Sequence, residues 1–114
     1  MCRWSVALLA VLATANVATA ADRMQFWNLT SSTITGLALA PVGTSAFGPN
    51  QCANDKDGSV DHDERLRLVS VHPGQYDVQV TEQNGRVCLA HNVKVSDVGH
   101  YAFSLSDDDL HDCH

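Results

Sequence analysis

The sequence predicts an all-β fold, a small antiparallel β-sandwich of about six or seven strands, on three observations. Apolar and polar residues alternate over short stretches, most clearly in Tyr76-Asp77-Val78-Gln79-Val80, and a period of two marks a half-buried strand. Turn-forming clusters recur at close spacing: Thr30 to Thr33, Pro41 to Gly43, His72-Pro73-Gly74, Asn84-Gly85 and Asp97 to Gly99, the punctuation of a sandwich or barrel. Beyond the N-terminal apolar run, no stretch has a convincing helical period.

The elements follow in chain order. Arg3, the apolar run from Val6 to Ala13 and the small residues of Ala18-Thr19-Ala20 have the layout of a secretory signal, predicting a cleavable signal peptide over residues 1–20. The run is shorter than the ~20 apolar residues that span hydrocarbon, so no membrane insertion is expected after cleavage. Cys2 precedes the apolar run, which is the wrong side for a lipid anchor. Residues 21–114 then form one domain. Within it, Met24 to Leu29 reads as a first strand in which one of Phe26 and Trp27 faces the core and the other faces out. Ile34 to Ala40 reads as a second strand.

Thr44 to Glu64 lacks useful periodicity and reads as one long loop, punctuated by Gly48, Pro49 and Gly58. Leu66 and Leu68 alternate with Arg65 and Arg67. After Pro73-Gly74, Gln75 to Thr81 alternates strictly, and Asn84-Gly85 makes a tight turn, both residues tolerating positive φ. Val87, Leu89, His91, Val93 and Val95 are expected on one face of a long strand, and Tyr101, Phe103 and Leu105 in a last one. The stretch Ser106 to His114 is expected to be short and irregular.

Charge excludes some partners. Arg3 leaves with the signal, so 6 basic residues remain against 13 acidic ones. An acidic surface repels phosphate backbones and anionic lipid, so nucleic acid is not an expected partner. Cys52, Cys88 and Cys113 remain, and export implies one disulfide and one odd cysteine. Sequence does not fix the pairing. Cys88–Cys113 is favoured, since one lies in an expected strand and the other just past the last. That closure is worth ~3 kcal/mol in the chain-entropy argument.

The segment Ala53 to Glu64 carries the densest candidate chemistry. Aligned on an EF-hand-type glycine at Gly58, the carboxylates of Asp55, Asp57, Asp61 and Glu64 fall at ligand positions for Ca²⁺. Ala53 occupies the first position, where Asp belongs, and neither flank reads as a helix. The competing reading is a solvated acidic loop with an Asp-Gly turn. His111-Asp112-Cys113-His114 groups three transition-metal ligand types, but Cys113 is also the disulfide candidate. His91 is expected to be half-buried on its strand. Asn28-Leu29-Thr30 matches the glycosylation pattern and reads as turn chemistry at a strand end. No nucleophile elbow, zinc-protease helix, phosphate loop or Cys-x-x-Cys occurs, so no enzyme is expected.

Asn28-Leu29-Thr30-Ser31-Ser32-Thr33-Ile34, Leu39-Ala40-Pro41 and Phe47-Gly48-Pro49-Asn50-Gln51 carry a resemblance. It continues through Asn54-Asp55-Lys56-Asp57-Gly58, Asp61-His62-Asp63-Glu64-Arg65-Leu66, Pro73-Gly74-Gln75-Tyr76-Asp77-Val78 and Gly85-Arg86-Val87-Cys88, to Leu110 and Cys113. In these motifs the chain resembles small exported bacterial proteins of unknown function. Phe47 stands where that pattern often has Trp, and Cys52 is optional in it, which supports pairing Cys88 with Cys113. The resemblance implies a bacterial periplasmic or secreted setting and brings no activity or residue roles.

The leading expectation is a non-enzymatic binding or structural module that contacts an envelope or extracellular protein through the Thr44 to Glu64 loop. The alternatives are a Ca²⁺-binding module using residues 53–64 and an enzyme inhibitor.

Overall fold

The structure, a computed structural model, describes residues 23–114. The expected signal peptide lies outside the described residues. Six strands form: β1 (Gln25–Leu29), β2 (Ile34–Pro41), β3 (Arg65–Arg67), β4 (Gly74–Glu82), β5 (Val87–Val95) and β6 (Phe103–Ser106). Two 3₁₀ turns, Gln51–Asn54 and Asp107–Asp109, accompany the strands among the described residues. The strands make two three-stranded sheets, ordered β3-β1-β6 and β2-β4-β5. They pack face to face as a small β-sandwich, as the alternation implies.

Alternation explains the core. In β1 and the residue before it, Met24, Phe26 and Asn28 point inward while Gln25, Trp27 and Leu29 stay partly exposed. Leu66, Phe103 and Leu105 join Phe26 from the same sheet, and Leu37, Leu39, Val78, Val80 and Ala90 meet them from the other. The Phe26 and Phe103 rings sit 5.0 Å apart, tilted by 40°, within the range where aromatic pairs attract beyond their buried area.

One pairing departs from the antiparallel expectation. β1 pairs antiparallel with β3 but parallel with β6, with Phe26 opposite Phe103 and Asn28 opposite Leu105. The second sheet is antiparallel throughout.

The expected face of β5 is also corrected. Cys88 and Ala90 are buried, whereas His91 is exposed and Val87 and Leu89 are only half-buried. A register shift opposite Tyr76 and Val78, with Asn92 at φ 54°, inserts a bulge. A bulge adds one residue and so flips the inward phase, which restores Val95 to the core. Strict alternation cannot anticipate that insertion.

The C-terminal stretch is ordered too. Ser106 and Asp109 form a capping box over the second 3₁₀ turn. His111 then exchanges both backbone hydrogen bonds with Leu89, and His114 does so with Val87. The Cys88–Cys113 disulfide pins this strap to β5.

The long loop between β2 and β3 has a structural role. Its Cys52 and Val60 are core residues, and Val60 exchanges backbone bonds with Ile34. Burial, with a smaller contribution from Asp55, pushes the free Cys52 thiol up to about 11. It is a packing residue, held protonated.

Candidate functional site

A β-sandwich leaves strand edges whose backbone groups lack partners, and proteins normally cover them. Here most are covered by side chains and loop backbone. Along β2, Gly48 donates to the Leu39 carbonyl at 2.9 Å. The Asn50 amide accepts from Leu37 N–H at 3.0 Å and donates to the Thr35 carbonyl at 3.1 Å. Beside β3, Asn54 donates to the Arg67 carbonyl at 2.9 Å. Gln51 accepts from Val69 N–H at 2.9 Å. The disulfide-linked strap covers the first half of β5.

The second half of β5 and the outer side of β6 have no strand beside them. They face one another across a cleft of about 630 Å³. Asn92 and Lys94 line one wall, Tyr101 and Ser104 the other, with Asp109 and His111 at the strap end. Asp109 is engaged locally, its carboxylate accepting from Ser106 N–H at 2.8 Å.

Tyr101 joins the cleft to the outer face of β3-β1-β6. Its ring meets the Trp27 ring edge-on at 5.2 Å. The Arg65 guanidinium lies 4.7 Å from the Trp27 centroid and 5.8 Å from that of Tyr101, a cation held on two aromatic faces. The Trp27 indole N–H donates to Asp63 at 2.9 Å. Of the adjacent aromatics, Trp27 is thus the outward one and Phe26 the core one.

His91 stands at the cleft rim, exposed. Its Nε2 lies 3.1 Å from Asp112 and its Nδ1 3.7 Å from Asp77. The Asp77 carboxylate also accepts from Asn92 N–H at 3.0 Å and Gly43 N–H at 3.2 Å. These backbone bonds first, and His91 after them, hold its carboxyl below the usual range. Asp77 therefore ties the β5 bulge to the turn after β2. Asp107 is likewise lowered, chiefly by bonding to Ser31.

Three of the four acidic-loop carboxylates expected for Ca²⁺ make separate local contacts. Asp55 accepts from Asp57 N–H at 2.8 Å, Asp61 from the Thr33 hydroxyl at 2.9 Å, and Glu64 from Asp61 N–H at 2.9 Å. Asp57 is exposed. Among the described residues no three His, Cys, Asp or Glu side chains are grouped to hold a metal ion. In the His111-Asp112-Cys113-His114 tail, Cys113 is in the disulfide, so its sulfur offers no thiolate.

Asn28 is fully buried. Its amide donates to the Ser32 and Val60 carbonyls, both at 2.9 Å, and accepts from Thr30 N–H at 2.9 Å and the Thr30 hydroxyl at 2.7 Å. The Asn-Leu-Thr triplet is turn chemistry, as the sequence suggests, and it anchors the acidic loop to β1.

Sequence reasoning missed the cleft. Its walls come from segments separated by the β5–β6 loop, and it exists because no strand lies between them. Two signals pointed toward its neighbourhood: the outward aromatic of the Phe26-Trp27 pair and the alternation of Arg65 with Leu66. No family model, curated protein or solved structure matches the chain.

Proposed function

We propose that this chain is a non-enzymatic binding module that works outside the cytoplasm, in the bacterial periplasm or secreted. Its partner is a protein or other envelope component, gripped at the β5–β6 cleft and the adjoining Trp27–Tyr101–Arg65 face. One observation carries the reading: uncovered strand edges converge on the cleft, while loop and strap cover β2 and the first half of β5. An uncovered strand edge presents a row of unpaired backbone groups, a ready template for another chain. The Cys88–Cys113 bond supports an oxidising compartment, and the signal-like N-terminus agrees with it. His91 and Asp109, the cleft groups best suited to proton transfer, are engaged with carboxylates and with Ser106 respectively.

Site-specific photocrosslinking tests this in the protein exported by its native host. A benzophenone side chain at Ser104 is expected to give a discrete adduct, and one at Lys56, on the acidic loop, none. Adducts from Lys56 alone would overturn the placement.

A further inference from the structure

Resting on that binding-module reading, we infer that the cleft takes an extended acidic segment of a partner polypeptide, added as a β-strand along the free side of β6. Three observations converge on this chemistry.

First, β6 pairs with β1 on one side only, and its other side offers backbone donors and acceptors that an incoming strand satisfies. Inward side chains of that strand would lie against Phe103, Leu105 and Ala90, which line the cleft or its floor. Every second residue of the segment is therefore apolar.

Second, register places the outward residues. Trp27 pairs with Arg65 on one side and with Ser104 on the other, so the three occupy one row across the sheet. A residue of the added strand opposite Ser104 continues that row. Neighbouring strands lie ~4.8 Å apart, and Arg65 already folds across Trp27 toward β6. A carboxylate in that row is within a side chain's reach of the guanidinium.

Third, the charges are complementary. Arg65 and Arg67 on the outer face and Lys94 on the opposite wall have no carboxylate within 4.0 Å among the described residues. The chain has 13 acidic residues against 7 basic ones, so Lys94 on one wall of the cleft and Arg65 against the Tyr101 ring of the other mark a place for external negative charge. The nearby acids are already engaged, Asp63 with the Trp27 indole and Asp109 with Ser106. An arginine held against aromatic rings keeps its planar fork free for bidentate recognition of a carboxylate.

The test titrates a blocked peptide of alternating Val and Glu into the ¹⁵N-labelled, disulfide-intact protein. The largest shifts are expected at the amides of 103–106 and at the Trp27 indole N–H. Arg65→Ala is expected to weaken binding ~10-fold, the worth of one charge-assisted contact. Arg65→Lys is expected to fall between, with unchanged melting showing that both variants fold. Methylating alternate backbone nitrogens of the peptide is expected to abolish binding. Equal binding by a Val-Lys peptide would overturn the acidic specificity while leaving the cleft a polypeptide site. Equal binding by the methylated peptide would overturn strand addition. Binding to phosphatidylglycerol vesicles in place of the peptide would overturn the inference in favour of an anionic surface. No peptide shifts, with a surviving Ser104 crosslink, would overturn the inference and leave the binding-module reading standing. Loss of the crosslink alone would count against that reading instead.

Discussion

Replacing Asn28 by Asp changes one atom of a fully buried side chain and reverses half of its hydrogen bonding. The Oδ1 contacts to Thr30 survive, at 2.9 and 2.7 Å. The Nδ2 position, 2.9 Å from both the Ser32 and Val60 carbonyls, becomes an oxygen facing two oxygens. Losing two hydrogen bonds costs about 1 kcal/mol each, and the half-satisfied buried charge adds a comparable amount, so about 4 kcal/mol is expected at pH 7. For a domain of this size that lowers Tm by roughly 20 °C. The sign with pH is set by burial, which raises the introduced carboxyl above its unfolded value near ~3.9. The penalty is full above the raised folded pKa and shrinks as pH falls toward the unfolded one, because the protonated acid regains a donor. Asn28→Ala has nothing to titrate, so its deficit relative to the native protein stays constant over the same range. Thermal melts of both variants from pH 4 to 8, read as differences from the native protein, check this. An N28D deficit under about 1 kcal/mol at pH 7, or one that deepens on acidification, would refute the account of the Asn28 anchor.

Three further outcomes are expected. Reducing Cys88–Cys113, which closes a separation of 25 residues, removes ~3.5 kcal/mol in the chain-entropy argument, and amide exchange should rise first at Val87 and Leu89; uniform exchange would contradict the strap. Asp77 and Asp107 have lowered folded values, so the stability they contribute is present above the unfolded carboxylate pKa and lost as pH falls through the folded one. Asp77→Asn should flatten the acid limb of the stability curve, measured by urea melts between pH 2 and 6. Millimolar Ca²⁺ should leave the melting temperature unchanged, because no three of the loop carboxylates are grouped to hold an ion; a rise abolished by D57A with E64A would reinstate the calcium reading.

Much of the fold was legible because burial on one side of a strand writes itself as a period of two. β1, β2 and β4 were placed within a residue or two, and Asn84-Gly85 turns the chain with Gly85 at φ 92°. What alternation cannot register is an added residue: the phase that holds for Val93 and Val95 points the wrong way before the bulge, where Cys88 and Ala90 face inward instead of Val87, Leu89 and His91. Nor does it register pairing partners: β1 beside β6 is a contact between opposite ends of the chain. The polar loop concealed its own packing, since Cys52 and Val60 are isolated apolar residues among acids and show no period. The disulfide was legible in part, because Cys88 sits in a clean strand. The candidate site was the least legible, since a cleft between strand edges is a property of two backbones and leaves no residue pattern.

The parallel contact between β1 and β6 has a temporal consequence. Phe26 meets Phe103, and Ala102 donates to Gln25, so the central strand of one sheet waits for a strand synthesised long after it. A chain emerging N-terminus first holds β1 without that lasting neighbour until β6 has followed it out of the ribosome. Such distant closure slows folding, and here it leaves the β3-β1-β6 sheet one strand short until β6 is available.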